Sequence, residues 1–423
     1  MVTVGSQLTV KCHEVDILGQ GVCRFEGLVI FVKGMLAEEV AQIEIIQTKK
    51  RFLVAKIIKV LSASPQRVSQ GFQLGAMDLS HLSIEGQLNW QTQVTKNAFE
   101  KEKFNFKLDN IIYDENNVFY RQKAVFHCLY DGVLSLKLYD ETSKNLADID
   151  GYNLADQIIL NIVKNINAAN LSQNLTQIIF RVSHYHSHQP AVLVTLVVES
   201  DKTNLEVIVN FLKQDPNIVG IMKNIKKNPR FILNGQSTIL SGVNELKYSF
   251  ADLDIIINDT SFLQVNQSIA LKAYQKINHF IQSDTIIDAY SGVGVIGLMA
   301  ASSAKQVTLI EDSKINVSFM QKNVVKNNLN NITVVNDKTE NILHQLTADA
   351  LIVDPPRSGL YASLLEVINQ KRFNKIAYLS CDLMTLIRDL KVLSQTYQIE
   401  SVTPIRMFPG TSSIETLVLL KIK

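Results

Sequence analysis

Beyond residue 255 short apolar runs alternate with segments of helical character, and this alternation limits the possible folds more than any other feature. Ile286-Ile-Asp-Ala-Tyr290, Val307-Thr-Leu-Ile-Glu311, Ile332-Thr-Val-Val335, Ala350-Leu-Ile-Val-Asp354, Lys375–Ser380 and Glu415–Lys421 read as strands. Val293–Ala301 and Ile315–Asn327 read as helices between them. Largely apolar strands without strict alternation are those buried on both faces of a sheet. Repeated strand–helix units therefore predict an α/β fold, a doubly wound and mostly parallel sheet, over residues 256–423.

The chemistry-bearing residues fall at the ends of these strands. Asp288-Ala-Tyr-Ser-Gly-Val-Gly-Val-Ile-Gly297 places Gly292, Gly294 and Gly297 at G-x-G-x-x-G spacing between a strand and a helix. Such a loop lets backbone approach a nucleotide closely. Glu311 ends the next strand, where a carboxylate can accept ribose hydroxyls. Alone, this loop fits a dinucleotide and S-adenosylmethionine equally, and a helix-packing turn is the plainer alternative. Asp354-Pro-Pro-Arg357 follows another strand; its two prolines fix a rigid turn at the edge where such sheets bind ligands. An exposed loop Asp is the alternative there. Cys381 follows the next strand on the same edge. A lone cysteine is usually a small buried hydrophobe. At this place, with polar neighbours and a helix expected to start after Asp382, a nucleophile with a lowered pKa is expected. Glu415, entering the last strand, would by itself read as an edge-strand charge. It gains a catalytic reading only together with Cys381.

The remainder of the chain differs in pattern. Residues 1–62 carry short strand-like runs (Val2-Thr-Val, Gln7-Leu-Thr-Val, Leu28–Val32, Arg51–Val60) punctuated by Gly19, Gly21 and Gly27, which predicts a small β-barrel. Ser64-Pro65 marks a boundary. Residues 63–255 read as a central α+β domain with helices near Gln87–Lys103 and Leu205–Lys213 and strands at Val133–Leu138 and Ala191–Val198. The four cysteines, Cys12, Cys23, Cys128 and Cys381, form no C-x-x-C pair, which excludes a disulfide scaffold or a structural zinc site and fits a reduced, cytoplasmic setting. No apolar run is long enough for a bilayer and no signal peptide is expected. Net charge is +2, so a nucleic-acid partner would have to be met by local basic patches. Lys49-Lys-Arg51 and Lys223–Arg230 are such clusters, or ordinary solvated faces. His184, His186 and His188 alternate, which could seat a metal, but a surface hairpin is the expected reading.

Taken together, these motifs resemble the RNA (uracil-5-)-methyltransferase family over essentially the whole chain. Phe262-Leu-Gln264-Val-Asn266 is similar to its FxQxN element, Tyr290-Ser-Gly-Val-Gly to its cofactor loop, Asp354-Pro-Pro-Arg357 to its DPPR, Ser380-Cys381 to its nucleophile motif and Phe408-Pro-x-Thr…Glu415 to its base motif. Tyr120-Arg-Gln-Lys-Ala124 is similar to its central YRNKA element, and residues 1–62 resemble a TRAM (OB-like) module. The resemblance implies an S-adenosylmethionine-dependent methyltransferase domain at 256–423 with Cys381 as nucleophile and Glu415 as base. It implies Gln264, Tyr290, Gly292, Glu311 and Asp354 as cofactor-pocket residues, with Asp337 a weaker candidate for the adenine side. A TRAM module points to the branch acting on 23S ribosomal RNA; the tRNA T-loop enzymes are the alternative, and a non-catalytic RNA-binding or ribosome-assembly factor is a third reading. An RNA substrate, no membrane association and a monomer are expected. One departure stands out. Many members hold an iron–sulfur cluster on cysteines just after TRAM. In Phe72–Leu82 no cysteine is present, and Leu74 and Met77 stand where cysteines would be expected. Such clusters need thiolates, so no cluster is expected and apolar packing should take its place.

Overall fold

The structure, a computed structural model, describes residues 2–69, 74–140, 143–185, 189–228, 233 and 237–423. The N-terminal strands β1 (Gln7–Val15), β2 (Gln20–Phe25), β3 (Leu28–Lys33), β4 (Val40–Thr48) and β5 (Phe52–Ser62) close into a barrel in the order β1-β2-β3-β5-β4. Its interior is filled by Val10, Cys12, Cys23, Ile30, Val32, Ala41, Ile43 and Leu53 among others. Closure leaves no exposed sheet edge, which suits a unit of this size. Val2-Thr-Val is outside the barrel strands, whereas β4, hidden in sequence by its mixed Gln and Glu, is one of them.

Helix α1 (Ile84–Lys101) starts at Ser83, whose side chain accepts from Gly86 N, and lies between the barrel and the C-terminal sheet. Trp90 Nε1 donates to Asp16 O (3.0 Å) on the barrel side; Gln91 Nε2 donates to Ile405 O (2.7 Å) on the other. A central seven-stranded sheet follows, from β6 (Lys123–Tyr130), β7 (Leu134–Tyr139), β8 (Leu146–Ala147), β9 (Gln177–Ser183), β10 (Ala191–Val198), β11 (Ile218–Ile225) and β12 (Ser237–Gly242), in the order β12-β11-β10-β9-β6-β7-β8. Helices α2 (Gln157–Ala168) and α3 (Glu206–Leu212) contribute Ile159, Ile162, Val163, Ile208 and Leu212 to the apolar core against this sheet. Leu74 and Met77 are buried in that same core. The β9–β10 pair is an antiparallel hairpin, as expected for the histidine-rich turn; His184 Nε2 lies 2.7 Å from Asp156 Oδ2, while His186 and His188 lie outside the described residues, as does Arg230 of the second basic cluster.

The hairpin β13 (Glu245–Phe250) and β14 (Leu253–Asn258) leads into α4 (Gln267–Ile281), β15 (Thr285–Ala289), α5 (Val295–Ala300), β16 (Gln306–Glu311), α6 (Lys314–Lys326), β17 (Ile332–Asn336), α7 (Thr339–Ile342), β18 (Ala350–Val353), α8 (Ala362–Lys371), β19 (Lys375–Ser380), α9 (Leu383–Leu393), β20 (Tyr397–Ile405) and β21 (Glu415–Ile422). The sheet order is β17-β16-β15-β18-β19-β21-β20. The first five strands are parallel; β21 runs antiparallel to β19 and β20 antiparallel to β21. This is the α/β, doubly wound arrangement expected from the strand–helix alternation. Helix α4 and strand β20 carry no sequence motif and emerge only in the structure. Bridges from Leu108 to Val402 and from Ile112 to Ile405 cover the outer edge of β20. Among the described residues no helix is long and apolar enough to cross a membrane.

Candidate active site

The chain leaves β15 toward β16 on one side and β18 on the other, so a crevice opens at their carboxyl ends, where sheets of this kind bind ligands. The cavity there has a volume of ≈ 440 Å³. Gln264, Tyr290, Gly292, Asp354, Cys381 and Glu415 all line it. Strand direction explains why residues so far apart in sequence meet. Tyr290, Asp354 and Cys381 each follow a parallel strand and therefore reach the same edge. Glu415 begins a strand, but β21 is antiparallel, so its beginning lies at that edge too. In the β19–β21 register Ser380 pairs with Thr416. Cys381 directly follows the last residue of β19 and Glu415 begins β21, so both lie at this end of the ladder.

The glycine loop is shaped for close approach. Gly294 has φ +91°, open to glycine and costly for other residues. Gly297 lies so near the sheet that a Cβ would sit 2.2 Å from Leu309 Cδ2 and 2.8 Å from Asp288 Oδ2. Asp288 accepts from Gly297 N (2.9 Å), tying helix α5 to β15; burial pushes its carboxyl up to about 8. Glu311 is not in the cavity wall. Its carboxylate accepts from Gly292 N (3.1 Å), Ser313 N (3.0 Å) and Asn316 Nδ2 (3.1 Å), so it braces the loop. Tyr290 adopts φ +60° and donates its hydroxyl to Glu340 Oε1 (2.5 Å). Asp337 caps its own neighbours, Lys338 N and Asn341 Nδ2, and does not line the cavity.

The electrostatics correct one expectation. Helix α9 does start after Asp382, which caps it by accepting from Thr385 N (2.8 Å). The Cys381 thiol is nevertheless pushed up, to about 11, by burial first and then by the neighbouring Glu415 and Asp354; Arg357 pulls the other way. Desolvation and two carboxyl groups outweigh a helix end already satisfied by its cap. Burial likewise raises Asp354 to about 7, and burial with the Asp354 charge raises Glu415 well above the ordinary carboxyl range. Both Glu415 oxygens are buried without a hydrogen-bond partner. Residues that sequence reading left without a role also line the space: Phe262, Tyr274, Ser413 and Arg357. Arg357 belongs to the quoted DPPR run, so its presence was readable; its role as counter-charge was not.

Residues 85–423 match the family model described as tRNA (Uracil-5-)-methyltransferase, and residues 1–58 match the TRAM domain. The chain belongs to the tRNA (uracil-5-)-methyltransferase family. It is similar to an uncharacterized RNA methyltransferase of Lactiplantibacillus plantarum, 28% identical over 99% of this chain and 93% of that protein. A Staphylococcus aureus protein of the same description is 28% identical over 96% of both. In architecture the chain matches a Pyrococcus abyssi tRNA (uracil-54, C5)-methyltransferase solved with S-adenosyl-L-homocysteine. The TM-score is 0.77 at 20% identity, over 98% of this chain and 100% of that one. As a member of this family, the chain is an RNA methyltransferase that takes its methyl group from S-adenosylmethionine.

Proposed function

We propose that this protein methylates C5 of a uridine in 23S ribosomal RNA, with Cys381 as nucleophile and Glu415 as base. The observation that carries the reading is that Cys381 and the buried, otherwise unpartnered carboxyl of Glu415 line one cavity at the end of the β19–β21 ladder. Uracil C5 is a poor nucleophile until the 5,6 bond is saturated, and covalent catalysis divides that difficulty into two easier steps. The Cys381 thiolate forms a bond to C6 and the displaced π electrons move onto O4 as an enolate. S-adenosylmethionine, when bound, would supply an electrophilic methyl to C5, its S–CH3 bond breaking so that it leaves as S-adenosylhomocysteine. Glu415 then accepts the C5 proton, the 5,6 double bond re-forms and the C6–S bond breaks, returning Cys381 as thiolate. Tyr290, Gly292, Asp354, Gln264 and Glu311 are the cofactor-pocket residues of this reading; the first four line the cavity, and Glu311 also accepts from Gly292 N of the glycine loop. The open space beside Gly292, where nothing lies within 4 Å of a Cβ position, suits close passage of a nucleoside moiety. The target base has to leave its stack to reach Cys381.

The TRAM match favours ribosomal RNA among substrates. Methylation of a tRNA uridine is the second reading. It is favoured by the full-length architectural match to a tRNA enzyme, whose alignment takes in the barrel. The two are separated by supplying heavy-methyl S-adenosylmethionine with unmodified 23S rRNA and tRNA transcripts in separate reactions and mapping the label by mass spectrometry. Heavy 5-methyluridine in 23S rRNA, absent with Cys381→Ala, is the expected result. Label confined to tRNA would move the substrate assignment; no label in either would remove the catalytic one. Action as a monomer in the cytoplasm is part of the same proposal.

A further inference from the structure

The Glu415 carboxyl makes no hydrogen bond within the protein, so its place is set by the backbone that carries it. That backbone is the start of β21 and the turn from Arg406 to Ile414, and the turn is held largely from outside its own domain. Leu79 N donates to Gly410 O (3.0 Å). Asp78 accepts from Ser412 N (3.0 Å) on one oxygen and from the Ser412 hydroxyl on the other. Buried Gln87 accepts on Oε1 from Gly410 N (2.8 Å) and Arg406 Nη2 (2.7 Å), while its Nε2 donates to Leu79 O (3.2 Å) and Leu82 O (2.8 Å). Tyr120 Oη donates to Pro409 O (3.0 Å). Asp78 and Leu79 belong to the stretch in which the family's cluster-bearing cysteines are missing, and Leu74 and Met77 root that stretch in the central core.

We propose that residues 74–91 form a clasp that positions the base: Asp78 and Gln87 hold the Arg406–Ile414 turn so that Glu415 keeps its place in the cavity it shares with Cys381. This rests on the assignment of Cys381 and Glu415 made above. Cys381 itself is carried by β19 and α9, and its backbone needs no part of the clasp. The clasp therefore bears on proton removal from C5 and release of the thioether, and leaves formation of the Cys381–C6 bond largely untouched. Asp78 and Gln87 are positioning residues, since neither reaches the cavity wall.

The test follows single turnovers of the full-length protein on the transcript that the wild type labels, quenched into denaturant, with covalent protein–RNA adduct and released product measured separately. Uridine carrying deuterium at C5 is run in parallel. In Asp78→Ala and Gln87→Leu, adduct formation should stay within about threefold of wild type, while adduct breakdown slows roughly 10- to 100-fold, the scale of small misplacements of a catalytic group. A deuterium isotope effect on turnover should appear or grow. Asp78→Asn, which keeps one acceptor oxygen for Ser412 N and can meet the Ser412 hydroxyl with its amide, should recover most of the breakdown rate. Thermal melts check folding, and Ser412→Ala, which loses one bond of the clasp, serves if Asp78→Ala does not fold. Equal slowing of formation and breakdown, or breakdown at the wild-type rate, would overturn the clasp. A wild type that methylates without any Cys381-dependent adduct would instead overturn the underlying assignment and the clasp with it.

Discussion

The free enzyme should keep its nucleophile protonated at neutral pH, and this can be measured directly. An ordinary cysteine has a thiol pKa near 9.0, whereas burial, Glu415 and Asp354 push Cys381 up to about 11. At pH 8 that difference lowers the thiolate fraction by about 100-fold, since each pKa unit is a factor of about ten well below the midpoint. Because the thiolate is the reacting species, alkylation of Cys381 by iodoacetamide should be slower by the same factor than alkylation of a short unstructured peptide carrying Leu379–Leu383. Peptide-level mass spectrometry from pH 7 to 11 would give the rate for Cys381 separately from Cys12, Cys23 and Cys128. The profile should still be rising at pH 10. Poor access alone would lower the rate at every pH without moving the midpoint, so the two causes separate. Arg357 is the larger of two influences pulling the thiol down, ahead of a backbone hydrogen bond at Cys381, so Arg357→Gln should shift the profile further to alkaline pH. A wild-type midpoint at or below 9, or faster alkylation in Arg357→Gln, would refute the reasoning and restore the helix start as the dominant influence. Activity should then rise with pH across the neutral range as the thiolate becomes available, until substrate binding supplies its own shift.

Other outcomes follow from the packing. Arg67 donates through Nε to Glu39 Oε1 (2.6 Å) and through Nη2 to Glu39 Oε2 (2.8 Å), with the Glu39 side chain fully buried. Arg67→Ala should cost about 3–5 kcal/mol in urea unfolding, because it strands a buried charge. Burial alone would raise the Glu39 carboxyl, but bonds from Arg67 and from the Leu36 and Ser64 amides, together with the Arg67 charge, hold it below its usual 4.5. A depressed carboxyl stabilises above its unfolded value and loses that contribution as pH falls through the folded one, so the gap between wild type and variant should close below about pH 4.5; a gap constant to pH 3 would contradict this. Gly297→Ala should cost about 1–3 kcal/mol through overpacking against Leu309 and Asp288 and weaken S-adenosylmethionine binding in calorimetry. Gly292→Ala, with open space but φ +58°, should cost only about 1–2 kcal/mol; similar melting temperatures with undiminished cofactor affinity for Gly297→Ala would count against the close-approach argument. Met77→Ala should cost about 2–5 kcal/mol and Met77→Leu under about 1.5 kcal/mol, as for a plain core position. Equal tolerance of both would mean that apolar packing does not hold this stretch.

Much of the fold and of the candidate site was legible in the amino-acid sequence because the information is local. A strand buried on both faces has to be apolar, and a loop that passes close to a ligand needs glycine. So β10 and β19 were found at their observed bounds, and β15, β16, β17, β18 and β21 within a residue or so. The motif residues Tyr290, Asp354 and Cys381 follow such strands, and a parallel sheet carries them to one edge. Strand β20 and helix α4 were not legible: β20 mixes polar residues and a proline at the sheet edge, and α4 bears no motif, so only packing against their neighbours defines them. Three matters belonged wholly to the tertiary structure. The antiparallel return of β21 decides that Glu415 reaches the same edge as Cys381, because strand direction and pairing depend on a partner strand some 35 residues away in the chain. The sign of the Cys381 shift depends on burial and on two carboxyl groups from other strands, so a helix start read from sequence pointed the wrong way. The bonds from Asp78 and Gln87 to the turn before Glu415 join residues more than 300 positions apart, a contact that no local pattern records.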